Sequence, residues 1–288
     1  MRQPLSWFAP AKINLYLHVI GRRPDGYHLL DSLVVFAETG DRLSVTASDE
    51  LSLTVAGPFA GALASEGDNL VLRAARALAE RCGVTAAGHI RLEKNLPVAS
   101  GVGGGSSDAA AALRLMMAHW QVKPSPEAVT AVALRLGADV PACLVGRALR
   151  MSGIGETLTP SPPVPDIGLV LVNPGIALPT AAVFRARSGP FSAAAALPAQ
   201  GWPTPRALVD SLEMTRNDLE APARTLVPAI GNALEAIRAL PGCLVARMSG
   251  SGATCFGIFA SPEAAANAAP ALARPGWWIW GGGVTGHI

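Results

Sequence analysis

The glycine-rich segment 96–110 has the pattern with the most chemical content. It reads LPVASGVGGGSSDAA, so four glycines between 101 and 105 precede two serines. Glycine leaves its backbone N–H group accessible, and the N-terminus of a following helix adds positive potential. This combination predicts a cradle for a di- or triphosphate. The Walker and dinucleotide patterns are excluded, because no Gly-Lys dipeptide occurs and Ser106 stands where G-x-G-x-x-G needs its third glycine.

Lysine is rare in this chain, so each lysine position is informative. Only Lys12, Lys94 and Lys123 occur among the 23 basic residues. Residues 13–20 alternate apolar and polar side chains, which predicts a half-buried strand. The same alternation predicts that Lys12 and Asn14 lie on one face of that strand.

The elements before the glycine segment follow from periodicity and turn signals. Residues 43–55 predict a β-hairpin, and residues 89–94 predict a short strand. Apolar residues at helical spacing predict a helix over 69–81, with Asp68 as a cap and Gly83 as its stop.

The glycine segment itself is predicted as a loop over 95–107, followed by an alanine-rich helix over 108–119. A further helix over 126–136 begins with proline and ends at Gly137. Asp139 follows directly, where a short stiff connection can hold its carboxylate.

A proline-rich stretch at 160–165 predicts a linker, beyond which the pattern is again α+β. We expect a core-closing strand at 277–280 and a loop at 193–196. The chain is therefore predicted to have two domains, residues 1–158 and 159–288. The remaining elements of the second domain are strands at 167–172, 244–248 and 255–259 and a helix at 234–240.

The composition excludes several classes of protein. Half of the residues are hydrophobic and the net charge is only +2, which argues against disorder and against binding nucleic acid or acidic membranes through bulk charge. No uninterrupted apolar run of about 18 residues occurs, and Pro4, Pro10 and Lys12 break the stretch that a signal peptide needs. We therefore expect a cytoplasmic protein. The four cysteines have no zinc or disulfide spacing, which predicts buried free thiols.

Three ordered segments resemble the motifs of the GHMP kinases, the family of galactokinase and of homoserine, mevalonate and phosphomevalonate kinases. They are PAKINL at 10–15 with GRRPDGYH at 21–28, the glycine segment, and MSGSGA at 248–253. The first is most similar to the branch that phosphorylates a cytidine-linked sugar alcohol. LGADVP at 136–141 and GIGE at 153–156 extend the resemblance over essentially the whole chain.

The resemblance implies a two-domain α+β fold with the active site in the cleft between the domains, ATP as the phosphoryl donor, and Mg²⁺. Asp139 matches the catalytic aspartate, which accepts the hydroxyl proton, and Lys12 matches the lysine that keeps this carboxylate ionised. An ordinary salt bridge is the alternative interpretation of that pair. Ser107 is the candidate Mg²⁺ ligand. The first domain would bind ATP and carry the chemistry, and the second would bind the substrate.

The positions that match ATP-binding residues are the glycine segment, which would hold the phosphates, and three residues around the adenine. Ala99 and Ser100 stand where many relatives have glycine, and Asp108 stands where some have Asn. For Leu70 a plain core role is the alternative. The adenine positions are Asn69, Leu70 and Lys94, and the phosphate positions are Pro97, Ala99, Ser100, Gly101, Val102, Gly103, Gly104, Gly105, Ser106 and Ser107.

Substrate recognition is assigned to Tyr27 and His28. An aromatic ring can stack on cytosine, and a neighbouring imidazole can read the polar edge of the base. By the resemblance, Phe184 supplies the other face of the stack, Thr180 lies nearby, and Asn14 binds the tetritol end. A core aromatic is the alternative interpretation of Phe184.

The predicted reaction is ATP-dependent phosphorylation of the 2-hydroxyl of a cytidine-diphosphate-linked methyl tetritol in isoprenoid precursor synthesis. Two alternatives stay open. A kinase for mevalonate or homoserine would leave Tyr27 and His28 unexplained, and a catalytically silent nucleotide-binding protein would leave Lys12 and Asp139 unexplained. An RNA-binding module would need a basic stripe that the sequence lacks.

Overall fold

The computed structural model describes residues 5–63 and 69–286, and it has the predicted α+β composition. Of these, residues up to 11, 40–98 and 103–146 form a first compact unit, and residues 12–39, 99–102 and 147 onward form a second. The strands are β1 Leu5–Arg22, β2 His28–Thr46, β3 Leu51–Ala56, β4 Gly88–Glu93, β5 Leu149–Gly153, β6 Thr157–Pro160, β7 Gly168–Asn173, β8 Val245–Met248, β9 Cys255–Phe259 and β10 Trp278–Gly282. The α-helices are α1 Leu70–Cys82, α2 Gly104–His119, α3 Pro126–Leu136, α4 Val140–Val145, α5 Thr180–Ala186, α6 Pro205–Glu213, α7 Glu220–Leu226, α8 Ala229–Arg238 and α9 Pro262–Ala268.

Strands of the first unit lie in the order β3-β4-β2. β4 pairs antiparallel with residues 42–46 of β2 and parallel with β3. The predicted hairpin over 43–55 is therefore wrong, because β4 lies between its two arms. The alternation of apolar residues identifies each strand but does not specify its neighbour, since Leu43 and Leu53 both find apolar partners on β4.

Two helices of the first unit follow their local signals. α1 begins where the side chain of Asn69 accepts a hydrogen bond from Val71 N, and it ends at Gly83 in a left-handed conformation. The predicted cap Asp68 lies outside the described residues. α3 has the predicted bounds, and the side chain of Ser125 caps it.

The helix after the glycine segment begins at Gly104, four residues before the predicted start at 108. Gly103 precedes it with a φ of +64°, a left-handed value that glycine adopts without steric penalty. Glycine is weakly helical, but tertiary packing overrides propensity here. Ser106 and Ser107 consequently lie on the first turn of α2 rather than in the loop.

β1 is buried on both faces from Ala9 to Val19, so the predicted half-buried strand is wrong. Its polar side chains find partners inside the protein, and Tyr16 Oη donates to Asp31 at 3.2 Å. Lys12 and Asn14 do share a face, because their Nζ and Oδ1 atoms are 3.0 Å apart. The sequence alternation thus separates the two faces of this strand but does not show which one water reaches.

The second unit contains an antiparallel sheet in the order β10-β7-β9-β8. β7 and β9 are entirely buried, and Ile230, Leu234 and Ile237 of α8 belong to the core that covers them. The predicted strand at 277–280 is β10 at the sheet edge, and it is half-buried. The loop at 193–196 has no regular structure, as predicted.

Throughout the described ranges, no helix has the length and apolar character needed to cross a membrane. The four cysteines are free thiols, as predicted, although only Cys143 and Cys255 are fully buried. Burial raises the pKa of Cys255 above its usual range, so this thiol is unreactive.

Candidate active site

We define the glycine loop as residues 95–103, between β4 and α2. Its two flanks, residues 95–98 and residue 103, belong to the first unit. Beyond the loop, Gly105 is exposed on the first turn of α2, and a Cβ atom added to it would meet no described atom within 4 Å. The first N–H groups of a helix have no acceptor within the helix and lie at its positive end. The start of α2 therefore has the properties of an anion site, and the phosphate-binding assignment stays a prediction.

The middle of the loop, residues 99–102, belongs to the second unit. A Cβ atom on Gly101 would lie 2.6 Å from the carbonyl oxygens of Ser249 and Gly252, and the φ of Gly101 is +77°. Ser249 Oγ also donates to Gly101 O at 3.1 Å. Glycine is required at 101 because two backbones meet there. Further backbone N–H groups hold the loop: Leu178 donates to Ala99, Thr254 donates to Ser100 and Lys12 donates to Val102.

Lys12 lies in a buried polar network of the second unit. Its Nζ donates to Asn14 Oδ1 at 3.0 Å, and Asn14 Nδ2 donates to Ser32 Oγ at 2.7 Å. The backbone N–H of Asn14 donates to Ser249 Oγ at 3.1 Å. Lys12 is only 3% exposed, so its ammonium interacts with a nearby negative group more strongly than it would in water. The structure thus brings together the two β1 residues predicted to handle the acceptor alcohol.

Asp139 belongs to the first unit, where it directly precedes the short helix α4. Its backbone carbonyl accepts from Cys143 N at 3.1 Å, and Pro141 occupies the first turn of α4. The side chain is half-buried. The short stiff connection is confirmed, while the catalytic pairing of Asp139 with Lys12 stays a prediction.

The predicted base-reading residues lie in the second unit. The rings of His28 and Phe184 stack, with centroids 5.0 Å apart and planes 23° apart. Burial lowers the pKa of His28, and the charges of Arg22 and Arg187 lower it further, so the imidazole is neutral at pH 7. Tyr27 is 62% exposed. The aromatic partner of Phe184 is therefore His28, and a cytosine held between Tyr27 and Phe184 stays a prediction.

Thr180 and Phe184 lie one turn apart on α5, so they share a face of this helix. Thr180 Oγ1 is 2.8 Å from Ser251 Oγ. Phe184 is half-buried and packs against the core of the second unit. Part of the Phe184 side chain therefore packs in the core, as the alternative interpretation predicts, and the other part is accessible.

Lys94 belongs to a buried cluster with Asp41 and Asp108 that sequence reasoning missed. Lys94 Nζ is 2.6 Å from Oδ2 of each aspartate, and none of the three side chains is more than 4% exposed. Burial by itself would lower the pKa of Lys94, but the two carboxylates raise it. Burial raises the pKa of Asp108 well above its usual range, against the opposing effect of Lys94 and with a further contribution from Asp41. The ammonium of Lys94 bonds to both aspartates of this cluster. The predicted contact with adenine would therefore involve other atoms of Lys94.

The other predicted ATP-binding residues lie in the first unit. Asn69 caps α1 and is buried, and Leu70 begins that helix and is half-buried. Pro97 is buried and Ser106 is half-buried. Both Pro97 and Ser106 flank the loop glycines, and the ligand contacts of all four residues stay predictions.

A preformed protein cage for Mg²⁺ is not found among residues 5–63 and 69–286, where no group of three or more His, Cys, Asp or Glu side chains could hold a metal. Mg²⁺ usually keeps several waters and binds few protein ligands besides substrate phosphates. Ser107 is buried, its Oγ donates its hydrogen to Pro10 O at 2.7 Å and lies 3.3 Å from Cys143 Sγ, so its contact with a cation stays a prediction. The residues present therefore fit an ion held mainly by the nucleotide.

Comparisons with known proteins agree with this geometry. The family model for the GHMP kinases N terminal domain matches residues 69–147, and that for the GHMP kinases C terminal matches residues 193–276. A 4-diphosphocytidyl-2-C-methyl-D-erythritol kinase of Gluconacetobacter diazotrophicus is 54% identical, with 96% of this chain and 94% of that protein covered. A crystal structure of a 4-(cytidine 5'-diphospho)-2C-methyl-D-erythritol kinase has a TM-score of 0.81 at 36% identity, covering 98% of this chain and 99% of that one. A homoserine kinase from Cytophaga hutchinsonii has a TM-score of 0.71 at 18% identity, covering 100% and 96%, which shows the fold alone.

The chain therefore belongs to the GHMP kinases, as its motifs predict. Within them, its identity to full-length relatives makes it a member of the 4-diphosphocytidyl-2-C-methyl-D-erythritol kinases. The α+β fold of this family is confirmed, whereas the domain boundary after residue 158 and the cleft stay predictions.

Proposed function

We propose that this kinase transfers the γ-phosphoryl group of ATP to the 2-hydroxyl of 4-diphosphocytidyl-2-C-methyl-D-erythritol, a step of the non-mevalonate route to isoprenoid precursors. One observation carries the proposal: the chain is 54% identical, over 96% of its length, to a kinase named for this substrate. Mevalonate and homoserine have no base to recognise, so they would give Tyr27 and His28 no role.

The β1 residues and Asp139 perform the chemistry. Asp139 is the general base, and its carboxylate accepts the hydroxyl proton as the oxygen attacks the γ-phosphorus. Lys12 orients the hydroxyl and stabilises the negative charge on the transferred group. Asn14 holds the Lys12 ammonium through its Oδ1, 3.0 Å away, and contacts the tetritol end of the substrate. Positioning and electrostatic stabilisation are most of what phosphoryl transfer requires.

The start of α2 holds the ATP phosphates. The first backbone N–H groups of α2 point out of its N-terminal end. Gly105 has no side chain that would obstruct a ligand there. Mg²⁺ would neutralise phosphate charge when bound, and Ser107 is the residue that would hold it. The middle of the glycine loop keeps its shape through Gly101 and Ser249, and its predicted phosphate contacts belong to the same proposal.

Tyr27, His28 and Phe184 select the base. A neutral imidazole offers one donor and one acceptor, which suits the polar edge of cytosine. The lowered pKa of His28 keeps it in that form near neutral pH. Tyr27 is exposed and can close over a bound base, and Thr180 lies beside this pocket.

The reaction is tested by offering ATP with three alcohols in parallel: the cytidine-linked substrate, mevalonate and homoserine. We expect product only with the first. Phosphorylation of mevalonate or homoserine at a comparable kcat/KM would contradict the proposed substrate.

The general base is tested with Asp139→Asn. This change keeps size but removes the proton acceptor, and we expect kcat to fall about a hundredfold or more. ATP affinity, measured by calorimetry, should be retained. Asp210→Asn on the exposed face of α6 is the control and should turn over like the wild type. Near wild-type turnover of Asp139→Asn would remove this residue from the mechanism.

Base recognition is tested with Tyr27→Ala and His28→Ala. Loss of a stacked ring typically costs about 1 to 3 kcal/mol, so Tyr27→Ala should raise the KM for the cytidine substrate roughly tenfold to hundredfold. The KM for ATP should hardly change. The wild type should reject the uridine analogue, and His28→Ala should discriminate less. Equal use of both substrates by the wild type would refute the assignment of His28.

A further inference from the structure

Asp41 of β2 bonds directly to the first residues of the glycine loop. Its Oδ1 accepts from Asn95 N at 2.6 Å and from Leu96 N at 2.8 Å. Its Oδ2 accepts from Lys94 Nζ at 2.6 Å. One carboxylate with no solvent exposure therefore holds the point where β4 becomes the loop.

The other flank of the loop reaches the same ammonium. Asp108 lies on the first turns of α2, and its Oδ2 is 2.6 Å from Lys94 Nζ. A Cβ atom on Gly104 would lie only 3.1 Å from that Nζ, so the helix start packs closely on the lysine. Lys94 thus links Asp41, at the entry of the loop, to the helix at its exit.

We propose that Asp41 is a positioning residue for ATP, which fixes the entry of the glycine loop at Asn95 and Leu96 and its exit through Lys94 and Asp108 before the nucleotide binds. This inference rests on the proposed function, because it requires the loop and the start of α2 to be the phosphate site. Asp41 is too deeply buried to contact a ligand itself.

A role in positioning explains why such a cluster is kept. Burying ions costs free energy, and apolar residues of similar volume often stabilise a protein as well or better. Charged hydrogen bonds, however, impose a defined geometry on the backbone groups that donate them. Two adjacent backbone N–H groups on one carboxylate oxygen fix the direction in which the chain leaves β4.

Asp31 on the same strand provides a matched control. It is also buried, and it accepts from Tyr16 Oη, Arg150 Nε and Ala195 N. Asp31 therefore has a cation and two further donors, as Asp41 does, but none of its partners belongs to the glycine loop. Replacing it tests the general cost of losing a buried carboxylate.

The experiment compares Asp41→Asn and Asp31→Asn with the wild type. An Asn amide nitrogen is a donor, so it cannot accept from both Lys94 and the loop N–H groups. We expect Asp41→Asn to raise the KM for ATP about tenfold, since small misplacements of a binding loop are costly, with the KM for the cytidine substrate within about twofold. Asp31→Asn should leave the KM for ATP within the same range. An unchanged KM for ATP in Asp41→Asn, or an equal rise in both variants, would overturn the proposal.

Calorimetry with ATP alone separates this inference from the proposed function. If the wild type binds ATP but does not phosphorylate the cytidine substrate, the proposed reaction fails while the role of Asp41 is still judged by ATP affinity. If Asp41→Asn does not fold, amide hydrogen exchange in the wild type decides. Slow exchange at Asn95 and Leu96 without ATP supports the inference, and fast exchange that slows only with ATP refutes it.

Discussion

The two buried aspartates of β2, Asp31 and Asp41, differ in the number of charged groups around them. Asp31, in the second unit, pairs with one guanidinium, that of Arg150, whose side chain is 29% exposed. Asp41, in the first unit, shares the single ammonium of Lys94 with a second carboxylate, Asp108, and all three are almost completely buried. The first arrangement has one carboxyl group and one partly exposed cation, whereas the second has two carboxyl groups around one ammonium away from water.

This difference shows how solvent access determines the loss of stability when a charged group loses its ion-pair partner. A pair whose cation is partly exposed can replace a lost contact with water, but a closed cluster cannot. Among the described side-chain atoms, Asp108 Oδ1 is one of the few buried polar atoms without a hydrogen-bond partner. Burial raises the pKa of Asp108, and the nearby charge of Asp41 adds to this effect. The comparison therefore predicts large effects around Lys94 and smaller ones around Arg150.

Removing each cation gives the largest expected contrast. Lys94→Met leaves the buried carboxyl groups of Asp41 and Asp108 without a cation and should lower the free energy of unfolding by about 3 to 5 kcal/mol. Arg150→Met should lower it by only about 1 to 2 kcal/mol, because water can reach that side chain and Asp31 keeps two other donors. Urea unfolding of both variants measures the difference. Equal losses would show that burial does not separate the two clusters.

The pH dependence of stability gives an intermediate effect. Because the folded-state pKa of Asp108 is raised, the folded protein keeps a proton that the unfolded chain releases above about pH 4. Stability from this group is full below that value and is lost as pH rises toward the raised pKa, by at most about 1.4 kcal/mol per pH unit. Asp108→Asn should lack this slope. Parallel unfolding curves of wild type and variant across that window would contradict a neutral Asp108.

Two neighbouring glycines of α2 give the smallest effect. Gly104→Ala would press on Lys94 Nζ at 3.1 Å, whereas Gly105→Ala faces open space. Alanine favours a helix by up to about 1 kcal/mol over glycine, so Gly105→Ala should raise the midpoint of unfolding and Gly104→Ala should not. Gly105→Ala should also weaken ATP binding, because its methyl group would enter the proposed phosphate site. Calorimetric unfolding scans and an ATP titration check both points, and equal gains in stability would show that the cluster has spare room.

Local signals predicted much of the fold. The bounds of α3 and β9 and the glycine stop of α1 follow from caps and periodicity, which act within a few residues. The place of β4 between β2 and β3 could not be predicted, because strand order is set by long-range pairing. The same reason explains β1, whose alternating pattern is typical of a half-exposed strand although the structure buries both faces.

The candidate site shows the same limit. Lys12 and Asn14 were predicted to share a face, since a spacing of two residues fixes that in any strand. The pairing of His28 with Phe184, 156 residues apart by their numbers, has no sequence signal of its own. Asp41 was not among the predicted site residues. The rarity of lysine and an acidic residue in the alanine-rich α2 were the only hints of the cluster around Lys94.

The packing of Gly101 against Ser249 has a consequence for the order of events during synthesis. These two residues are separated by 148 positions, and Thr254, which also bonds to the loop, is made later still. At about 5 to 20 residues per second, the ribosome synthesises the glycine loop roughly 7 to 30 s before Ser249. A nascent chain that ends before Ser249 can form the bonds from Lys12 and Leu178 to this loop but lacks those from Ser249 and Thr254, so the shape of the loop is completed only late in synthesis.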